Sequence, residues 1–213
     1  MPVIEAQNLY KIFGRKPERG VAKLEAGASR EDLRDQGLTP AVIDASFNVD
    51  EGEIFVVMGL SGSGKSTLIR MVNGLLTPTA GTIKVGGSDI NGVDAKALRQ
   101  VRREKVSMVF QHFALLPHRT VGENAAYGLK LRGMNRSDRE RAAEEALGLV
   151  GLAGWGGSLP DELSGGMRQR VGLARALAAG TDVMLMDEAF SALDPLIRRE
   201  MQDQLIELQH QLG

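Results

Sequence analysis

The span Gly59-Leu60-Ser61-Gly62-Ser63-Gly64-Lys65-Ser66-Thr67 fits the pattern G-x-x-x-x-G-K-S/T without a mismatch. Each residue type in it has a chemical task. Glycines let backbone N–H groups close around phosphate oxygens, and the helix start that follows adds partial positive charge. Lys65 can reach the β- and γ-phosphates of a nucleotide, and the Ser66 hydroxyl can ligate Mg²⁺. A second span, Val183-Met184-Leu185-Met186-Asp187-Glu188, ends an apolar run in two adjacent carboxylates. An acid at a strand end can meet a metal, so Asp187 can hold Mg²⁺ through water while Glu188 orients or deprotonates an attacking water. A third span, Leu163-Ser164-Gly165-Gly166-Met167-Arg168-Gln169-Arg170, joins a capping serine to two glycines. It exposes backbone N–H groups at a helix start, which is an anion site. One chain therefore carries two phosphate-binding helix ends, at Lys65 and at Ser164. The bland alternatives are a glycine-rich turn, an acidic turn after a core strand and an ordinary glycine-containing helix start. Each is weaker in the presence of the other two motifs.

These residues need elements to position them. Ile54-Phe55-Val56-Val57-Met58 is apolar and β-branched, as a buried strand before the glycine loop should be, and Leu68–Asn73 suits the helix after it. Residues 3–13 predict a strand, with a turn at Gly14. Residues 15–40 are charged and punctuated by Pro17, Gly20, Gly27, Gly37 and Pro40. With Ser29 as a helix start and Gly37 as a stop, they predict a helical surface insertion. Strands are predicted at Val42–Val49, Thr82–Val85, Val106–Phe110 and Val183–Met186. Asp94 predicts a helix cap for a segment through Arg103, Ser137-x-x-Glu140 a capping box before Arg141–Val150, and Ser164 a cap for a helix to Ala179. A last helix is predicted from Pro195 to Leu212, with Leu205 and Leu208 on its apolar side.

Composition limits the alternatives. The chain has 213 residues, enough for one sizeable domain with a subdomain inserted. Apolar residues make up 43% and aromatics only 4%, so the core must be mainly aliphatic. A formal charge of −1 argues against bulk electrostatic binding of nucleic acid, and Arg99, Arg102, Arg103 and Lys105 read as a solvated helix face. There is no cysteine, so disulfides and thiolate metal sites are excluded. The first residues lack the pattern of a signal peptide, and no apolar run approaches the roughly 20 residues of a membrane helix. A membrane role would work through a partner.

The three motifs together resemble the ATP-binding cassette (ABC) ATPases, and the resemblance spans essentially the whole chain. It implies an α/β fold: a P-loop NTPase with a RecA-like core, an antiparallel β subdomain and an inserted α-helical signature subdomain, the last expected at 112–165. It implies ATP and Mg²⁺ as cofactors. Gly59, Ser61, Gly62, Ser63, Gly64, Lys65, Ser66 and Thr67 then bind the phosphates, and Phe13 in Lys11-Ile12-Phe13-Gly14 stacks on adenine. A core role for Phe13 is the rival. Gln111 matches the glutamine that contacts Mg²⁺ and the attacking water, and Ser191-Ala192-Leu193-Asp194 matches the loop that crosses the dimer interface. In this family two chains pack head to tail, each ATP lying between the Lys65 loop of one and Ser164, Gly165 and Gly166 of the other. The metal set is then Ser66, Gln111 and Asp187, with Glu188, Lys65 and Gln111 catalytic.

Within the family the chain is similar to ATPase subunits of glycine betaine/proline importers. Met167 stands where glutamine is more usual, Ala189-Phe190 where many relatives carry Pro-Thr, and the insertion at 15–40 where that branch has an extra helical segment. That branch drives a membrane permease fed by an external substrate-binding protein. The resemblance thus implies an ATP-dependent homodimer, permease partners, no nucleic acid, and a peripheral place on the cytoplasmic face of the inner membrane. Relatives continue to a further strand and a switch histidine; His112, His118 and His210 do not match it, so a fragment with impaired turnover is expected. Two other functions compete. A DNA-repair or chromosome ATPase shares the nucleotide chemistry but needs a long coiled coil, and the gap of about 100 residues between Lys65 and Ser164 shows no sustained heptads. A nucleotide-binding module without turnover is the other.

Overall fold

The strands of this chain form where apolar residues alternate or run unbroken between glycine turns, and they collect into two sheets. The computed structural model describes residues 2–110, 114–191 and 193–212. The chain divides into two compact units, Met1–Lys105 and Val106–Gly213.

The first unit is built on an antiparallel sheet. Strands β1 (Pro2–Phe13), β2 (Thr39–Asp50), β3 (Ala80–Val85) and β4 (Ser88–Asp89) lie in the order β2-β1-β3-β4. The central β1 pairs with both long neighbours, Ile4 facing Val49 on one side and Val85 on the other. Its inward residues Ile4, Ala6, Leu9 and Ile12 are buried. Between β1 and β2 the insertion forms α1 (Glu18–Glu25) and α2 (Arg30–Arg34). Val21 and Leu33 from these helices pack with Tyr10, Ile12 and Leu38 in a small apolar cluster. A reciprocal capping box starts α2: Asp32 N–H donates to Ser29 Oγ (3.1 Å) and Ser29 N–H to Asp32 Oδ2 (2.8 Å). The Ser29 backbone N–H first, then its hydroxyl, hold the Asp32 carboxyl below the usual carboxylate range. Gly37 leaves the helix with φ +73°. Helices α3 (Lys65–Val72) and α4 (Ala95–Glu104) complete the unit. Asp94 caps α4 through the N–H groups of Lys96 and Ala97. Arg99 and Arg103 on α4 are exposed, whereas the Lys105 ammonium is tied to Gly86 O and Ser88 Oγ.

One predicted strand is missing. Ile54–Met58 has no strand assignment, and Ile54, Phe55, Val56 and Met58 are all exposed, Met58 at 87%. A strand is held by its ladder, and no neighbouring strand pairs with this segment among the described residues. Phe55 instead stacks on Phe47, with ring centroids 5.2 Å apart.

The second unit holds a parallel pair, β5 (Val106–Val109) and β6 (Val183–Met186), in register from Val106↔Val183 to Val109↔Met186. Helices α5 (Val121–Ala125), α6 (Tyr127–Leu131), α7 (Arg136–Leu149), α8 (Gly165–Ala178) and α9 (Pro195–Leu212) accompany it. Their buried faces form one cluster that includes Val121, Leu147, Val171, Leu173, Met201 and Leu208. Among the described residues the fully buried members are aliphatic, as the low aromatic content requires. Helix α7 begins earlier than the capping box at Ser137 predicts. Asn135 is its N-cap, accepting from Asp138 N–H at 3.0 Å, and Ser137 lies inside the first turn. An unpredicted capping box, Thr120 with Glu123, starts α5.

The segment before α5 is stitched by one buried amide. Asn124 is fully buried, and Leu116 N–H donates to its Oδ1 at 2.7 Å. Its Nδ2 donates to the carbonyls of Leu116, Arg119 and Thr120 at 3.0–3.1 Å. Leu115 and Leu116 in this segment are half-buried. Replacing Asn124 by Ala strands these part-buried backbone groups and is expected to cost roughly 1–3 kcal/mol. Asn124→Asp keeps the acceptor, loses the donors and should also destabilise. Urea unfolding of the variants checks this, and an unchanged midpoint for Asn124→Ala would contradict it.

Candidate functional site

The phosphate-loop residues sit at the start of α3. Gly64 is its N-cap, with φ +99°. A Cβ at Gly64 would lie 2.2 Å from Ala41 O, so both conformation and space demand glycine. Glycine also brings no side-chain oxygen to the first turn, which leaves capping to a bound anion. The loop turns tightly ahead of it: Gly62 has φ +75° and Ser63 N–H donates to Leu60 O at 3.1 Å. Lys65 folds back over this turn. Its ammonium donates to Gly59 O (3.0 Å) and Leu60 O (3.1 Å), which holds the charge over the loop. Ser66 and Thr67 follow in the first turn of α3, both half-buried. Gly59, Ser61, Ser63 and Leu60 are on the exposed face of the loop.

Phe13 ends β1 and is 42% exposed, which disposes of a core role. The Lys11 ammonium lies 5.2 Å from the ring centroid and is anchored by Thr77 O at 2.7 Å. An aromatic ring with a cation on it and exposed area to spare is suited to stacking with a base.

In the second unit, β6 delivers the two acids. Asp187 N–H donates to Val109 O at 3.1 Å, extending the β5–β6 ladder by one residue. Asp187 is buried and Glu188 is exposed, so the adjacent acids meet different surroundings. Glu188 has φ +48°, left-handed backbone that costs an L-residue energy. Ser191 holds its carbonyl twice, through N–H at 3.0 Å and Oγ–H at 2.8 Å. Among the described residues no group of three or more His, Cys, Asp or Glu gathers as an all-protein metal cage. An Mg²⁺ site built from one carboxylate, a hydroxyl and phosphate oxygens needs none. Gln111 lies outside the described residues, as does Ala192.

The third motif starts α8. Ser164 is the N-cap, its Oγ accepting from Met167 N–H at 3.2 Å. The two glycines differ in purpose. A Cβ at Gly165 would meet nothing within 4 Å, whereas one at Gly166 would lie 3.3 Å from Ile197 Cγ2. Gly165 therefore keeps the helix start open to an incoming group, and Gly166 lets α9 approach α8. Arg168 fastens the entry by donating to Leu163 O at 2.7 Å.

Three anchors escape sequence reasoning, because polar side chains bound to backbone groups leave no pattern. Asn124 is one. Arg175 of α8 is another: it donates to Ala114 O at 2.7 Å, and burial pulls its pKa below the ordinary arginine value. Arg198 of α9 is the third. Its Nε donates to Phe190 O, and its Nη2 to Ser191 O and Leu193 O, all at 3.0 Å.

The chain is similar to known proteins. The model of the ABC transporter family matches residues 42–191. The chain is 56% identical over 207 residues to the glycine betaine/proline betaine transport system ATP-binding protein ProV of Escherichia coli strain K12, covering 97% of this chain and 52% of that protein. It is 54% identical over 213 residues to the glycine betaine/carnitine transport ATP-binding protein GbuA of Listeria monocytogenes, covering 100% and 54%. The chain thus spans about half the length of these curated relatives. Among solved structures, a dimeric post-hydrolysis state of the ATP-binding cassette MJ0796 bound to ADP and Pi matches with a TM-score of 0.80. The identity is 30%, covering 99% of this chain and 84% of that one.

The loop geometry gives a direct expectation. Gly64→Ala should destabilise the α3 start by roughly 1–3 kcal/mol, because left-handed backbone and a carbonyl clash combine. Gly165→Ala, in open space, should leave the unfolding midpoint where it is. Thermal unfolding of the two variants side by side checks the contrast, and equal shifts would contradict it.

Proposed function

Since the chain belongs to the ABC transporter family and has the P-loop NTPase fold, we propose that it is the ATP-hydrolysing part of an importer. The solute is glycine betaine, proline or a related quaternary amine. The observation that carries this reading is the 54–56% identity, over 97–100% of the chain, to ATP-binding proteins of glycine betaine transport systems.

In this reading the glycine loop receives the β- and γ-phosphates and Lys65 releases its two carbonyls to meet them. Phe13 stacks on the adenine. Ser66, Asp187 and Gln111 hold Mg²⁺, which would neutralise phosphate charge as the γ-phosphoryl transfers. Glu188 takes the proton of the attacking water. Its exposed carboxylate at the end of a strand, beside the buried Asp187, supports the assignment. Ser164, Gly165 and Gly166 serve the nucleotide held by a second copy, and the open space at Gly165 favours that. The dimer works on a permease supplied by a substrate-binding protein, from the cytoplasmic face of the inner membrane. Residues 112–165 act as the helical subdomain facing the permease and 15–40 as a surface insertion. No described helix is long and apolar enough to cross a membrane itself.

Two variants test the chemistry. Lys65→Ala should abolish ATP binding, because the loop's only side-chain cation goes. Calorimetry giving equal affinities would sink the phosphate-loop assignment. Glu188→Gln should bind ATP normally and lose roughly 10²–10⁴ in turnover, since an amide accepts no proton. Phosphate release within threefold of the parent would exclude Glu188 as the base.

A further inference from the structure

We infer that Arg198 is a positioning residue for Glu188: its guanidinium fixes the loop that in turn holds Glu188 in left-handed backbone. The inference rests on the reading of Glu188 as the general base.

Glu188 lies between two buried residues, Asp187 and Ala189, each 4% exposed. Those neighbours anchor the chain on both sides, so the backbone angles of Glu188 set the direction in which its Cβ leaves the chain. At φ +48° that backbone is unfavourable for a residue with a Cβ. Such a conformation persists only where its surroundings over-determine it. Ser191 supplies the first restraint, with two donors on the Glu188 carbonyl. A serine in a loop restrains only as well as it is itself held.

Arg198 holds it. One planar side chain engages Phe190 O, Ser191 O and Leu193 O, with donors at 3.0 Å to each. Arg198 is half-buried and stands in the first turn of α9, which Asp194 caps through the N–H groups of Leu196 and Ile197 at 3.1 Å. The restraint therefore runs from a capped helix, through a rigid fork, to three carbonyls of the loop, and by Ser191 to Glu188. Lysine cannot replace it, because a single flexible ammonium does not present separated donors in one plane. Charge alone is thus not the active property of Arg198; the geometry of its fork is.

The test uses steady-state ATP hydrolysis with Arg198→Lys, Arg198→Ala, Glu188→Gln and the Glu188→Gln/Arg198→Ala pair. A displaced base costs rate and not nucleotide affinity, so both Arg198 variants should lose about 10- to 100-fold in kcat. Their ATP affinity should stay within about twofold of the parent. Millimolar guanidinium ion should restore part of the Arg198→Ala rate. In the Glu188→Gln background, Arg198→Ala should cause no further loss, because there is no base left to misplace. Parental kcat for Arg198→Lys would overturn the inference, as would a full multiplicative loss in the double variant. A joint loss of affinity, melting temperature and rate in Arg198→Ala that guanidinium does not rescue would reduce Arg198 to a fold-stabilising role and also overturn it. Parental turnover by Glu188→Gln alone would remove the base assignment itself, a failure distinguishable from the others.

Discussion

The start of α3, where the N-cap Gly64 brings no capping side chain to the backbone N–H groups, is the constraint on which the rest of this molecule depends. Such groups must find an acceptor, and the helix dipole makes a negative one preferable. At α3 the cap is Gly64, which has nothing to offer, and the strained turn before it exists because only glycine passes Ala41 O. At α8 Ser164 satisfies the N–H of Met167, and Gly165 keeps the approach open. In the function proposed above, both helix starts serve anions. The dimer proposed above gives both a use, since each nucleotide would then be met by both kinds.

The acids follow from the parallel pair. Asp187 continues the ladder beyond β6 through Val109 O and stays buried, and the chain then turns sharply at Glu188. A strand end is a place where backbone order stops and a side chain can face outward, so the turn separates a buried acid from an exposed one. The cost of that turn is met by the segment that follows, where Ser191 and the α9 start restrain it. The proposed binding and acid–base groups therefore share one physical theme, the termini of regular elements.

Much of this is legible in the amino-acid sequence. The β6 strand and the α9 helix fall on the predicted residues, and α4 and α8 start at the predicted caps, because apolar runs and capping residues are local signals. The failures are non-local. Ile54–Met58 has the composition of a strand, but composition cannot supply a ladder partner. Ser137-x-x-Glu140 has a capping box's spacing, yet Asn135 two residues earlier captures the cap. The candidate site reads in the same way. Glycines, Lys65 and the Asp187–Glu188 pair announce themselves by type and spacing. Gly166 looks like part of the anion site, and its contact with Ile197 of α9 is visible only in three dimensions. Asn124, Arg175 and Arg198 act on carbonyls far along the chain or across a turn, and no periodicity encodes that.

In the dimer proposed above, the Lys65 loop and the Ser164 helix start serve one nucleotide from two different chains. The chain contains no cysteine, so introduced thiols report without background. One preparation carries Ser61→Cys, another Ser164→Cys, each with Glu188→Gln to prevent turnover. Mixed and mildly oxidised, they should give a disulfide-linked heterodimer on non-reducing gels with ATP and Mg²⁺ present, and little of it without nucleotide. A heterodimer yield indifferent to ATP, or none at all while ATP still binds, would contradict the account.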